Sequence, residues 1–182
     1  MVWGKTTPLL RQANRIDVII SQFGREVTRK LRTGQGFQED HLRGPFERML
    51  VELANSLGLK ITPIGETRLP DLSIRPDYAI NVEGARVGYV ELKKPGHGVP
   101  GTWKRPTKHD KKQWEQLKLL PNVLYSDGQS FARYNFGKPQ GRIARLEPGL
   151  DRAGDKRRIQ RVSASHEMIL CDERRLECAV RY

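Results

Sequence analysis

Along the first third of the chain, apolar residues recur at the three- and four-residue steps that line one face of an α-helix. Leu9, Ala13, Ile16, Ile20, Phe23, Val27 and Leu31 form one such stripe. Thr7-Pro8 supplies an N-cap and a first-turn proline, and Gly34 supplies a stop, so a helix is expected to end there. Its polar face carries Arg11, Arg15, Arg25, Arg29 and Lys30. A second stripe of Leu42, Phe46, Met49, Leu53 and Leu57 predicts a helix from about Glu39 to Leu57, with Pro45 marking its start or a kink.

Beyond Gly58 the period shortens. Lys60 to Ile64 is a strand candidate, and Leu69 to Ile74 is partly loop because Pro70 and Pro76 interrupt it. Arg75 to Gly96 then predicts a β-hairpin turning at Glu83-Gly84. Pro95 to His109, rich in Gly, Pro and Lys, is expected to be a mobile surface loop. A helix is expected over Asp110 to Leu120, closed by Pro121. Strands over Asn122 to Ser126 and Phe131 to Phe136 flank a turn at Asp127-Gly128. Gly141 to Glu147 is a further strand candidate, and a late helix is expected from Ser163 or Ser165 through Met168, Ile169 and Cys171. The alternation predicts an α/β fold in one domain: an N-terminal helix over 1–34, a core over 39–136 and a basic extension over 137–182.

The hairpin carries the chemistry. Side chains alternate faces along a strand, so Glu91 and Lys93 point one way while Leu92 enters the opposite layer. Asp77 begins the partner strand, and pairing across the turn brings it toward Glu91. Two carboxylates beside one ammonium make a divalent-metal site with a charge-stabilising or water-orienting lysine. The acid-any-Lys triplet alone discriminates little, since Asp110-Lys111-Lys112 also fits it. Glu91-Leu92-Lys93 differs by closing an apolar run downstream of a Pro-Asp pair. The bland alternative is an edge strand whose charges face water.

Charge narrows the partner. The 182 residues hold 33 Lys plus Arg against 21 Asp plus Glu, a formal charge of +12, which points to a polyanionic partner, nucleic acid or an anionic membrane surface, with nucleic acid favoured. From Lys93 to Lys118 there are eight basic residues and two acidic ones, half of that excess. Trp103 and Trp114 in this stretch either stack on bases or rest against the core. No apolar run reaches membrane-spanning length, and MVWGKTTPLL lacks the layout of a secretory signal. Two cysteines, Cys171 and Cys178, are too few for a disulfide framework, so a cytoplasmic location and no membrane are expected. His41, His97, His109 and His166 are scattered, and His166 with the cysteines does not fit zinc spacing. Serine-nucleophile, phosphate-loop and dinucleotide motifs are absent.

With these residues in order, the chain resembles the PD-(D/E)XK nuclease superfamily. More narrowly, it is similar to the nuclease domain at the front of single-chain restriction–modification enzymes with a fused adenine methyltransferase. Three segments carry the resemblance: QEDHLRGPFERMLVELANSLGL, the Arg75-Pro76-Asp77 and Gly88-to-Lys93 hairpin, and QWEQLKLLPNVLYSDGQSFARY. Glu39 falls where the family's helix-start glutamate stands, Arg43 where its arginine stands, and Gln113 where its glutamine stands. Glu47 is the second candidate for that glutamate. Gly44 and Leu117 depart from the family pattern.

The resemblance implies a restriction-endonuclease-like αβββαβ core with a mixed central sheet flanked by helices, and metal-dependent hydrolysis of DNA. Asp77, Glu91 and the Leu92 carbonyl would hold Mg²⁺, or Mn²⁺ in its place. Lys93 would orient water or neutralise charge, Glu39 would bind a second ion or a water, and Gln113 would position a phosphate or a neighbouring group. Lys94, Lys104, Arg105, Lys108, Lys111 and Lys112 would contact the DNA backbone. Associated or fused methyltransferase and helicase modules are the implied partners, and double-strand cleavage would call for a homodimer. The rivals are a DNA-binding or assembly module that does not cut, and a nuclease for RNA or branched DNA.

Overall fold

The structure, a computed structural model, describes residues 8–103, 105–146 and 149–150. The Thr7 cap, Lys104, His166, both cysteines and the expected late helix lie outside them.

The first two stripes become α1 (Pro8–Arg32) and α2 (Asp40–Ser56). Pro45 does not mark the start of α2: it is the sixth helical residue, beyond the first-turn N–H groups that have no internal partner, so the helix forgoes there the hydrogen bond to the His41 carbonyl. Six strands follow: β1 (Ile61–Gly65), β2 (Tyr78–Val82), β3 (Ala85–Leu92), β4 (Val123–Ser126), β5 (Ser130–Asn135) and β6 (Lys138–Arg145). They form one mixed sheet in sequence order, antiparallel throughout except that β3 and β4 run parallel. A parallel pair needs a long crossover, and α3 (Lys108–Leu117) lies within the connection between β3 and β4. The outermost described strands, β1 and β6, each carry a proline, Pro63 and Pro139.

The stripe residues Phe23 and Phe46 meet Phe131 of β5 with ring centroids 6.1–6.2 Å apart. This cluster joins α1 and α2 to one sheet face, which also contributes Tyr78, Val90 and Leu92. The opposite face packs Val123, Tyr125, Ala132 and Tyr134 against Leu117 of α3 and Val99.

The β2–β3 turn is the expected pair, with Glu83 and Gly84 both at positive φ, 49° and 85°. Gly88 has a different reason to be glycine: a Cβ there would stand 2.6 Å from the Asn122 carbonyl oxygen on the segment entering β4.

Three expectations need correction. Pro95–His109 is not a free loop. Val99 is fully buried, the Gly98 N–H donates to Asp127 Oδ2 at 2.8 Å, and Tyr134 donates to the Pro100 carbonyl at 2.6 Å. Its anchors come from β4, β5 and their turn, so local composition does not reveal them. The helix expected from Asp110 starts earlier, because Thr107 caps it in a capping box with Asp110, and His109 is helical. The strand expected from Gly141 likewise begins at Lys138, after a two-residue turn with Phe136 and Gly137 at positive φ.

Candidate active site

The two layers meet at the C-terminal end of β3. Leu92 is buried in the α1/α2 layer, whereas Glu91 and Lys93 turn toward α3, as strand alternation requires. Both are nearly sequestered, at 2 % and 8 % exposure. Lys93 Nζ donates to Glu91 Oε1 at 2.7 Å and to Gln113 Oε1 at 2.7 Å, and Gln113 Nε2 donates to the same Glu91 oxygen at 2.7 Å. The charges fix the amide's orientation, because a carboxylate needs a donor and an ammonium an acceptor. Three side chains therefore close a triangle, with Gln113 supplied by one turn of α3.

Glu91 Oε2 is buried and has no hydrogen-bond partner. Asp77, one residue before β2, is 8 % exposed, and its Oδ2 accepts the Leu92 N–H at 2.7 Å. Glu39, immediately before α2, is half-buried and lies within electrostatic reach of Lys93 and Asp77. The structure thus brings Asp77, Glu91, Lys93, Glu39 and Gln113 to one end of the sheet. Glu47 acts instead on the Tyr78 hydroxyl.

Electrostatics follow from this crowding. Burial pushes the Glu91 carboxyl up to about 7, against the pull of Lys93 and with the help of the Asp77 and Glu39 charges. Burial also raises Glu39, which Lys93 opposes and Asp77 reinforces. Burial works to lower Lys93, but the charge and hydrogen bond of Glu91, with Glu39 and Asp77, overcome it and hold the ammonium protonated.

Three participants were not assigned a role from sequence. Arg43 of α2 donates from Nη2 to Asp77 Oδ1 at 2.6 Å and from Nη1 to Glu66 Oε1 at 3.2 Å. Arg43 was legible only as a family position, and nothing in the pattern around Glu66 marks it. Tyr125 of β4, beside Glu91 in the sheet register, buries a hydroxyl without a partner.

Lys94, Arg105, Lys108, Lys111 and Lys112 are all exposed. Trp103 and Trp114 lie 6.5 Å apart edge to face, and each meets Tyr125 in the same way, so they rest against the core.

Among the described residues no three His, Cys, Asp or Glu side chains form a ready-made metal cluster. The donor set nevertheless fits Mg²⁺. This ion takes oxygen ligands, retains several waters and is commonly held by one or two carboxylates. The unpartnered, buried Glu91 Oε2 is an oxygen of that kind, adjacent to Asp77 through Leu92.

No family model and no curated protein matches the chain. One similar solved structure is a chain from a cryo-EM structure of a DrdV–DNA complex, with a TM-score of 0.53 and 18 % identity. The match covers 71 % of this chain and 87 % of that one. Among the described residues no helix is long and apolar enough to cross a membrane. Over its described residues the chain has a restriction-endonuclease-like α/β fold, a mixed six-stranded sheet flanked by helices.

Proposed function

We propose that this chain is a metal-dependent endonuclease that hydrolyses DNA phosphodiester bonds, as the nuclease part of a restriction–modification or phage-defence system. The observation that carries the reading is the buried, unpartnered Glu91 oxygen beside Asp77 and Lys93. An orphaned acidic oxygen costs free energy unless a cation or a proton satisfies it. The +12 charge, the exposed basic residues around α3 and the DNA-bound state of the structural neighbour support DNA as the substrate.

Asp77, Glu91 and the Leu92 carbonyl would hold Mg²⁺ or Mn²⁺. Such an ion supplies charge neutralisation at the scissile phosphate and acidifies water. The protein's own groups do the rest. Lys93 keeps its proton and presents a fixed ammonium where negative charge grows on the phosphate. Gln113 fixes that ammonium's direction and holds Glu91 Oε1, leaving the buried Oε2 as the oxygen without a protein partner. Glu39, whose carboxyl is raised, is placed to accept a proton from attacking water or to bind a second ion. Lys94, Arg105, Lys108, Lys111 and Lys112 track the phosphate backbone, with Lys104 in the same stretch.

The test is cleavage of supercoiled plasmid and linear duplex with Mg²⁺, Mn²⁺ or EDTA. Asp77→Ala and Lys93→Ala are each expected to lower cutting by about a hundredfold or more while retaining salt-sensitive DNA binding. Undiminished cutting by either variant would sink the assignment. Tight binding with no cutting under any metal would favour the binding-module reading.

A further inference from the structure

Asp77, a proposed metal ligand, is engaged on both oxygens. Oδ2 holds the Leu92 N–H, and Oδ1 holds the Arg43 guanidinium at 2.6 Å. The second arm of that guanidinium sits on Glu66, and its buried Nε lies 3.7 Å from Asp40 Oδ1 without a hydrogen bond. Arg43 is thus shared between a buried carboxylate and a half-exposed one. Glu66 is kept in place by its backbone. It adopts φ 50°, a left-handed conformation uncommon for a residue with a side chain, and its N–H donates to the Asp77 carbonyl at 2.8 Å. Arg75 pairs with the other Glu66 oxygen.

We propose that Arg43 is a resident cation at Asp77 that a divalent ion must displace, with Glu66 as the seat that receives the guanidinium. This inference rests on the metal-dependent reading above. A guanidinium and a divalent ion on one carboxylate repel each other, and the low-dielectric surroundings of Asp77 strengthen that repulsion. Loading is therefore an exchange and not a simple addition. Before exchange, Arg43 neutralises Asp77 and holds its carboxylate in register with β3. After exchange, the guanidinium keeps a charged partner in Glu66, so no cation is stranded. Arg43 is a positioning residue here: it sets where Asp77 stands and how readily the site loads.

The experiment measures Mn²⁺ affinity from the free-ion electron paramagnetic resonance signal, without DNA, for the whole chain. The relevant binding is the part that Asp77→Asn abolishes. Arg43→Ala is expected to tighten it about tenfold, the equivalent of one charge-assisted hydrogen bond removed from the competing state. Arg75→Ala removes an equal charge from the same neighbourhood but leaves Asp77 Oδ1 occupied, and it is expected to change affinity little. Glu66→Gln is expected to weaken binding in the natural chain and to have no effect on top of Arg43→Ala. Thermal melting without metal establishes that each variant folds, and Arg43→Lys, retaining charge with a single contact point, is expected to fall between. Equal affinities for Arg43→Ala and the natural chain, or equal tightening by Arg75→Ala, would overturn the exchange and leave the metal site standing. Absence of Asp77-dependent Mn²⁺ binding in every protein would overturn the metal-dependent reading and the exchange with it.

Discussion

Replacing Gln113 by leucine removes the amide that closes the Glu91–Lys93 triangle while keeping the side chain's size. The amide makes two contacts of 2.7 Å, one to a carboxylate and one to an ammonium. Hydrogen bonds to charged groups contribute about 1.5–3 kcal/mol each. Glu91 and Lys93 retain their own 2.7 Å contact, so the net destabilisation is expected to be about 2–4 kcal/mol rather than the full sum. In a chain of this size that lowers the melting temperature by roughly 5–15 °C. Urea unfolding followed by tryptophan fluorescence, on Gln113→Leu, Lys93→Met and the double variant, gives the coupling directly. A coupling of about 1–2 kcal/mol is expected, because either single change already breaks the Lys93–Gln113 contact. Additivity within about 0.5 kcal/mol would refute the triangle and make Gln113 an ordinary helix residue.

Other perturbations test separate parts of the structure. Folded Glu91 holds its proton up to about 7 against 4.5 for the ordinary group, so the folded state binds more protons in that window. Stability of the metal-free chain is therefore expected to fall as pH rises through it, by a few kcal/mol at most; urea midpoints at pH 5 and 8 give the change, and Glu91→Gln should flatten it. Glu39, also raised, adds a smaller contribution of the same sign. Gly88→Ala places a Cβ against the Asn122 carbonyl and is expected to cost about 2–3 kcal/mol by equilibrium unfolding, because a backbone atom cannot step aside. Phe46→Ala opens the phenylalanine cluster and is expected to cost about 3–5 kcal/mol in the same assay.

The hairpin was legible because two signals agreed: period-two alternation set the faces of Glu91, Leu92 and Lys93, and Glu83-Gly84 set the turn. The first two helices were legible from their stripes, and Phe23 and Phe46 reached the core as their spacing required. Gln113 was marked only by family resemblance, since a glutamine on a polar helix carries no pattern of its own. The contact between Arg43 and Asp77 was not legible. It depends on how α2 crosses the end of β2, a tertiary distance that neither local sequence encodes. The anchored loop before α3 was misread for the same reason: Asp127 and Tyr134 hold it from elsewhere in the sheet. The turn into β6 escaped notice because Phe136 is not a residue usually found at positive φ.

Pro63 in β1 and Pro139 in β6 bear on how two copies of this chain would associate. A sheet grows by offering unpaired backbone donors along an outer strand, and proline has none to offer. A proline in each outermost described strand, and Lys138, Arg142 and Arg145 along β6, disfavour continuous strand addition between copies at these two edges. A homodimer built to cut both strands of a duplex is then expected to join through helices or loops. Its two cutting centres would then be spaced by side-chain packing, with no shared sheet between them.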